Sequence, residues 1–173
     1  DFEMAELSRK TVTVLFVSIE GAIRAPIAAA TMNAAKGNVF RAYSAGTNPV
    51  AEIPAATVDA LKIAGIPFEG VRAAGIADFQ LPEAPRLDFV FNLTEPYENC
   101  GAIPLPGAPV VVSWPVPHPV LESGSPAERG SRLAETVRMI RRRVELFVEL
   151  PMDKLDGLAA RLQAESIHRQ IGG

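Results

Sequence analysis

Thr11-Val12-Thr13-Val14-Leu15-Phe16-Val17-Ser18-Ile19-Glu20-Gly21-Ala22-Ile23-Arg24-Ala25-Pro26 decides the fold. Its first seven residues are β-branched or apolar without alternation, the pattern of a central parallel strand covered on both faces. A short loop follows, and Arg24 stands at the mouth of an alanine-rich helix. A strand that carries such a loop to a sheet edge, with loop amides turned inward and the positive end of a helix dipole behind them, builds an anion cradle. Ser18 puts a hydroxyl at its base, Gly21 relaxes the backbone for close approach, and Arg24 offers a planar charged fork for paired oxygens.

Outward from the cradle, strands alternate with helices. Pro26 to Lys36 reads as a helix with proline just inside its start and Gly37 as its stop. Val39 to Tyr43 is a second strand leading into Ser44-Ala45-Gly46-Thr47. Pro54 to Ala64 reads as a helix with Val58 and Leu61 inward and Gly65 at its C′ position. Leu87 to Asn92 and Val110 to Trp114 are the third and fourth strands. After the stiff passage Trp114-Pro115-Val116-Pro117-His118-Pro119, Ser125-Pro126-Ala127-Glu128 is a capping box. The long helix it opens repeats Leu133, Val137, Ile140, Val144 and Phe147 at steps of four and three, one apolar stripe. Pro151 breaks it, and Leu155, Leu158 and Leu162 mark a shorter amphipathic helix.

This order predicts a three-layer α/β/α fold with a four-stranded parallel sheet, flavodoxin-like, and a site at the carboxyl ends of the strands. Residues 1–10 read as an N-terminal tail, those ahead of Met4 as part of a tag. Residues 11–150 read as one domain, and residues 151–173 as a helix packed on it or at an interface.

Composition bounds the function. A chain of 173 residues with 48% hydrophobic and 21% charged residues has the profile of one ordinary globular domain. A formal net charge of −3 gives no electrostatic reason to expect nucleic acid or anionic lipid as a partner. The longest apolar runs are far too short to span a bilayer, and the first residues lack a secretion-signal layout. The lone Cys100 excludes an internal disulfide and points to a reducing cytoplasm. Two widely spaced histidines and one cysteine make no metal pattern, and no cofactor is expected. Arg141-Arg142-Arg143, with Glu135 and Glu145 nearby, reads as a solvated helix face. His168 reads as a solvated residue.

These motifs in this order resemble the low-molecular-weight protein tyrosine phosphatases and the related thioredoxin-coupled arsenate reductases, over about Thr11 to Leu150. The family's Cys-x5-Arg-Ser/Thr loop is matched in position by Ser18 through Arg24 and Ala25, and its Ser-Ala-Gly-Thr segment is present as Ser44 to Thr47. The reductase branch's Cys-Pro-x-x-Pro and Trp-x-x-Pro-Asp-Pro passages correspond to Cys100 to Pro104 and Trp114 to Pro119. Leu150 to Asp156 is similar to a closing segment of bacterial members. The resemblance implies oxyanion contact along Ile19, Glu20, Gly21, Ala22, Ile23 and Arg24. It implies a nucleophile position at Ser18, a general-acid position at His118, and a supporting hydroxyl at Ser44.

Residue by residue, that chemistry is missing. The family's thiol starts near a pKa of roughly 8.5, and a helix N-terminus lowers it by several units. An alcohol is far too weak an acid for the same field to ionise, so Ser18 needs a base. His118 stands at the position of the leaving-group acid, across the bound oxyanion from Ser18. The family hydroxyl after the arginine is Ala25, and the reductases' second cysteine matches Leu93. An engineered cysteine-to-serine trap predicts an otherwise normal loop, whereas Glu20, Ala22, Ile23, Ala25 and His118 all depart from the pattern.

The leading expectation is therefore an inactive phosphatase-like protein of the bacterial cytoplasm. It binds phosphate, sulfate, an arsenate-like oxyanion or a phosphorylated partner at Ser18 to Arg24 weakly at most. A carboxylate at Glu20, about 7 Å from a bound monoanion, costs on the order of 1 kcal/mol at an intermediate dielectric. If Glu20 pairs with Arg24, the cradle is self-neutralised. Two alternatives stand beside it: an active phosphatase or reductase in which Ser18 is a trap or an unusual nucleophile, and an interaction or homodimer module built on the last helix.

Overall fold

The computed structural model describes residues 11–35 and 39–151. The stop at Gly37 and the amphipathic helix through Leu155, Leu158 and Leu162 lie outside the described residues.

Four parallel strands form one sheet. They are β1 (Val12–Ser18), β2 (Phe40–Gly46), β3 (Phe89–Asn92) and β4 (Val110–Ser113), in the order β2-β1-β3-β4. The uninterrupted apolar run of β1 belongs at the centre of such a sheet: Val14, Leu15, Phe16 and Val17 are all fully buried. Sequence pattern ended β2 at Tyr43, but β2 pairs with β1 to its last residue, Ser18 against Gly46. Small residues of weak strand propensity are held extended there by the partner strand.

Three α-helices are described: α1 (Arg24–Asn33), α2 (Ala55–Ala64) and α3 (Pro126–Val148). α1 begins two residues before the proline, because the Ile27 amide already bonds to the Ile23 carbonyl at 3.1 Å. Arg24 thus sits in its first turn. α2 ends at Gly65 in the left-handed conformation, φ 71°, as a C′ glycine does. α3 opens on the expected box: Ser125 Oγ accepts from the Glu128 amide at 3.1 Å, and Glu128 Oε1 from the Ser125 amide at 2.7 Å.

All five residues of the α3 stripe are buried on the sheet face that carries Val14, Phe16, Phe89 and Phe91, beside α1 and α2. Phe147 stands edge-on to Phe91 with ring centroids 5.1 Å apart, and Trp114 lies 4.4 Å from Phe91. On the opposite face, Leu15, Val17 and Val90 pack under Phe79 and Leu87, with Phe79 in a short 3-10 turn, Ile76–Phe79. One arginine of the Arg141–Arg143 run departs from a solvated face: Arg143 is buried and donates to the Pro115 carbonyl at 2.7 Å. That bond anchors α3 to the proline passage that carries His118. Among the described residues no helix is long and apolar enough to cross a membrane.

Candidate functional site

The cleft opens where β1 ends. Ser18 is buried, and its Oγ accepts from the Gly21 amide at 3.1 Å. Gly21 has φ +60°, and a Cβ there would stand 2.8 Å from the Gly46 amide nitrogen. A Cβ on Gly46 would reach within 2.5 Å of the Glu20 carbonyl carbon. The two glycines let loop and strand end meet backbone to backbone.

The loop carbonyls are then taken up in turn. Thr47 N donates to Ser18 O at 3.1 Å, Asn48 N to Ile19 O at 2.7 Å and Val50 N to Glu20 O at 3.0 Å. Thr57 Oγ1, from α2, donates to Ala22 O at 2.7 Å. The Thr47, Asn48 and Val50 amides therefore tie the cradle by backbone, and the Thr47 hydroxyl adds a long bond to Ile19 O at 3.4 Å. The Ser44 hydroxyl, expected to make that tie, is buried and finds no hydrogen-bond partner among the described residues. Ser44 lies opposite Phe16 in the register, and paired residues share a face of the sheet, which here is the apolar helical one.

Arg24 is spent inside the protein. Its Nη1 donates to Val116 O at 2.9 Å, to Leu93 O at 3.2 Å and to Glu98 Oε1 at 2.8 Å, and its Nη2 donates to Glu98 Oε2 at 2.7 Å. This is a two-pronged guanidinium–carboxylate pair, with side-chain exposures of only 3% and 10%. The cradle is self-neutralised as envisaged, but by Glu98 rather than Glu20. Glu20 remains exposed at the rim.

Glu98 reaches Arg24 through a short 3-10 turn, Pro96–Glu98, that starts on Pro96 and closes on Asn99 at φ 51°. Its Oε1 also accepts from the Glu95 amide at 3.0 Å, so the carboxylate caps its own turn. Burial pushes the Glu98 carboxyl up, but the Arg24 and Glu95 hydrogen bonds and the charges of Arg24 and His118 outweigh it. The net position is below the usual carboxylate value.

The cleft above the loop holds about 430 Å3. Ser18, Ile19, Glu20, Ala22, Ile23, Arg24 and His118 all line it, joined by Asn48, Tyr97, Val120, Glu98 and Glu122. Three carboxylates thus line the cleft beside one guanidinium, and that guanidinium is already paired with one of them, Glu98. α1 begins at Arg24 with no side-chain cap from Ile23, so its dipole adds a pull on an anion in the cleft. Among the described residues, no side-chain base accepts from Ser18. Ala25 and Leu93 are buried in the apolar core, and the Cys100 thiol lies 3.9 Å from Asn92 Nδ2. No three His, Cys, Asp or Glu residues among those described could hold a metal ion.

Sequence reading missed Glu98 and Glu122. For Glu98 the local sign was a proline-started turn between two glutamates three apart, a spacing that lets the second carboxylate fold back on the first amide. Nothing local pointed from there to Arg24, which lies 74 positions away.

The tyrosine phosphatase Wzb from Escherichia coli K30, solved with sulphate, superposes with a TM-score of 0.57 at 13% identity, covering 90% of this chain and 97% of that one. A low molecular weight protein tyrosine phosphatase from T. tengcongensis gives 0.59 at 21%, covering 80% and 98%. A thioredoxin-dependent arsenate reductase from Corynebacterium glutamicum gives 0.50 at 18%; 83% of this chain is covered, but only 66% of that protein's length. At these identities the likeness carries the fold. A search of the curated proteins finds no match to this chain. The profile of low molecular weight phosphotyrosine protein phosphatases matches residues 13–102, more than half of the sequence, and takes in the loop, the Ser-Ala-Gly-Thr segment and the Glu98 turn. The chain belongs to the low molecular weight phosphotyrosine protein phosphatase family.

Proposed function

We propose that this chain is a catalytically silent member of its family that retains the cradle and takes an oxyanion only weakly. The observation that carries this reading is the bidentate Arg24–Glu98 pair beside a Ser18 hydroxyl with no base. Phosphoryl or arsenate transfer to a side chain needs a nucleophile in its anionic form or a base to make one. Ser18 has neither, and Ala25 supplies no hydroxyl. An incoming phosphate must also displace Glu98 from Arg24 and meet the carboxylates of Glu20 and Glu122. What favours residual binding is the uncapped start of α1, together with the sulphate held by the Escherichia coli relative. The lone cysteine supports a reducing compartment, and the closing Leu150–Asp156 segment supports a bacterial source.

The test pairs an aryl-phosphate assay with phosphate titration. No turnover is expected from the parent or from Ser18→Cys, because the thiol would still lack its supporting hydroxyl and a free guanidinium. Turnover by the parent that disappears in Ser18→Ala would overturn the silent reading. Titration of Glu98→Gln should show at least tenfold tighter phosphate binding than the parent, lost again on adding Arg24→Ala. Equal affinity in parent and Glu98→Gln removes the claim that Glu98 weakens the cradle.

A further inference from the structure

The Arg24–Glu98 pair selects among anions. Its two charges are nearly enclosed, with side-chain exposures of 3% and 10%. A simple oxyanion that takes the guanidinium strands the Glu98 carboxylate, sheltered from water and without a counter-charge. Separating one member of such a pair is strongly unfavourable. The surroundings add to that. Besides His118, the charged groups that line the cleft are Glu20, Glu98, Glu122 and Arg24, so an added dianion meets a cleft already in negative excess.

We infer, on the reading that the cradle is retained and silent, that its ligand is a zwitterion: a phosphate monoester or similar oxyanion carrying a primary ammonium on a short carbon link. The anionic end replaces Glu98 at Arg24, and the ammonium replaces Arg24 at Glu98. Neither sheltered charge is then left alone.

Both partners have a second anchor that holds them when the pair opens. Arg24 Nη1 keeps the Leu93 and Val116 carbonyls at 3.2 and 2.9 Å, while Nη2, bonded to Glu98 Oε2, is released to an incoming oxygen. Glu98 Oε1 keeps the Glu95 amide at 3.0 Å, so the carboxylate stays at the cleft with Oε2 free for an ammonium. The uncapped start of α1 draws the anionic end.

The rest of the lining suits the other parts of such a molecule. Tyr97 adjoins Glu98 with 70% of its surface exposed, an aromatic ring beside the place of the cation. Ile19, Ala22, Ile23 and Val120 give apolar wall for the carbon link. The space of about 430 Å3 is of small-molecule size.

The experiment is calorimetric titration of the full chain with O-phosphoethanolamine and with ethyl phosphate, which share phosphate and carbon link and differ in the ammonium. The parent should bind phosphoethanolamine at least tenfold more tightly. In Glu98→Gln no carboxylate is stranded, so ethyl phosphate should gain and the preference should shrink to about threefold or less, the share left to Tyr97. Equal affinities in the parent overturn the proposal, as does a parent that does not bind phosphoethanolamine. A tenfold preference that survives Glu98→Gln overturns it too, because the ammonium then does not answer Glu98. The comparison in the parent needs no variant, so it decides even if Glu98→Gln fails to fold. The weakened-cradle reading fails on a different result, an inorganic phosphate affinity that Glu98→Gln leaves unchanged.

Discussion

Ser18 and Arg24 keep their places at the two ends of the loop while their side chains are committed to the protein itself. The serine oxygen accepts from the Gly21 amide, and the arginine fork closes on the Glu98 carboxylate. Removing one partner of such a sheltered pair leaves the other charge uncompensated. Glu98→Ala should therefore destabilise the fold by about 3 kcal/mol, read from urea unfolding; a loss below about 1 kcal/mol would mean that the Leu93 and Val116 carbonyls suffice for the guanidinium. The positions of Ser18, Arg24 and His118 in the cleft were legible from order and spacing in the sequence. Arg24's true partner was not, since the sequence holds 20 aspartates and glutamates and only packing brings one of them to 2.7 Å. Ser44 shows the same limit: its position was readable, but whether its hydroxyl meets an acceptor depends on the face that β2 turns toward Phe16.

α3 shows how an element joins local and global information. Ser125 and Glu128 satisfy one another's amides, a contact that depends on a few neighbouring residues. Phe147 depends on the opposite: it is fully buried against rings from β2, β3 and the passage after β4, Phe40, Phe91 and Trp114. Ser125→Ala should cost about 1 kcal/mol and Phe147→Ala about 3–5 kcal/mol. Thermal unfolding followed by calorimetry would separate them, and comparable losses would mean that the ring cluster is loosely packed. The elements themselves were legible because periodicity and capping are local. Their ends were less so: α1 starts at Arg24 and β2 runs to Gly46, extensions set by the neighbouring strand and the loop.

Across the whole molecule the Glu98 latch ties β3's outgoing turn to the start of α1 and, through the Val116 carbonyl, to the proline passage beyond β4. Because the Glu98 carboxyl is held below its ordinary value near 4.5, its contribution is fully present above that value. It is lost as pH falls through the lower folded value. The stability gap between parent and Glu98→Gln should stay constant from about pH 5.5 to 8 and narrow below about 4.5, in urea titrations run across that range. A gap that grows on acidification would reverse the sign and remove the latch. The α/β class, the strand-loop-helix cradle and the absence of a thiol at its base are legible in the chain alone. Those follow from runs, turn residues and single identities, all of which act over a few positions. Packing alone sets that the cradle's arginine is occupied, that its tie to the segment after β2 is made mainly by backbone amides, and that a third of the arginine run is buried. Each of these turns on which distant group arrives within hydrogen-bond reach, and that is set by how the layers pack.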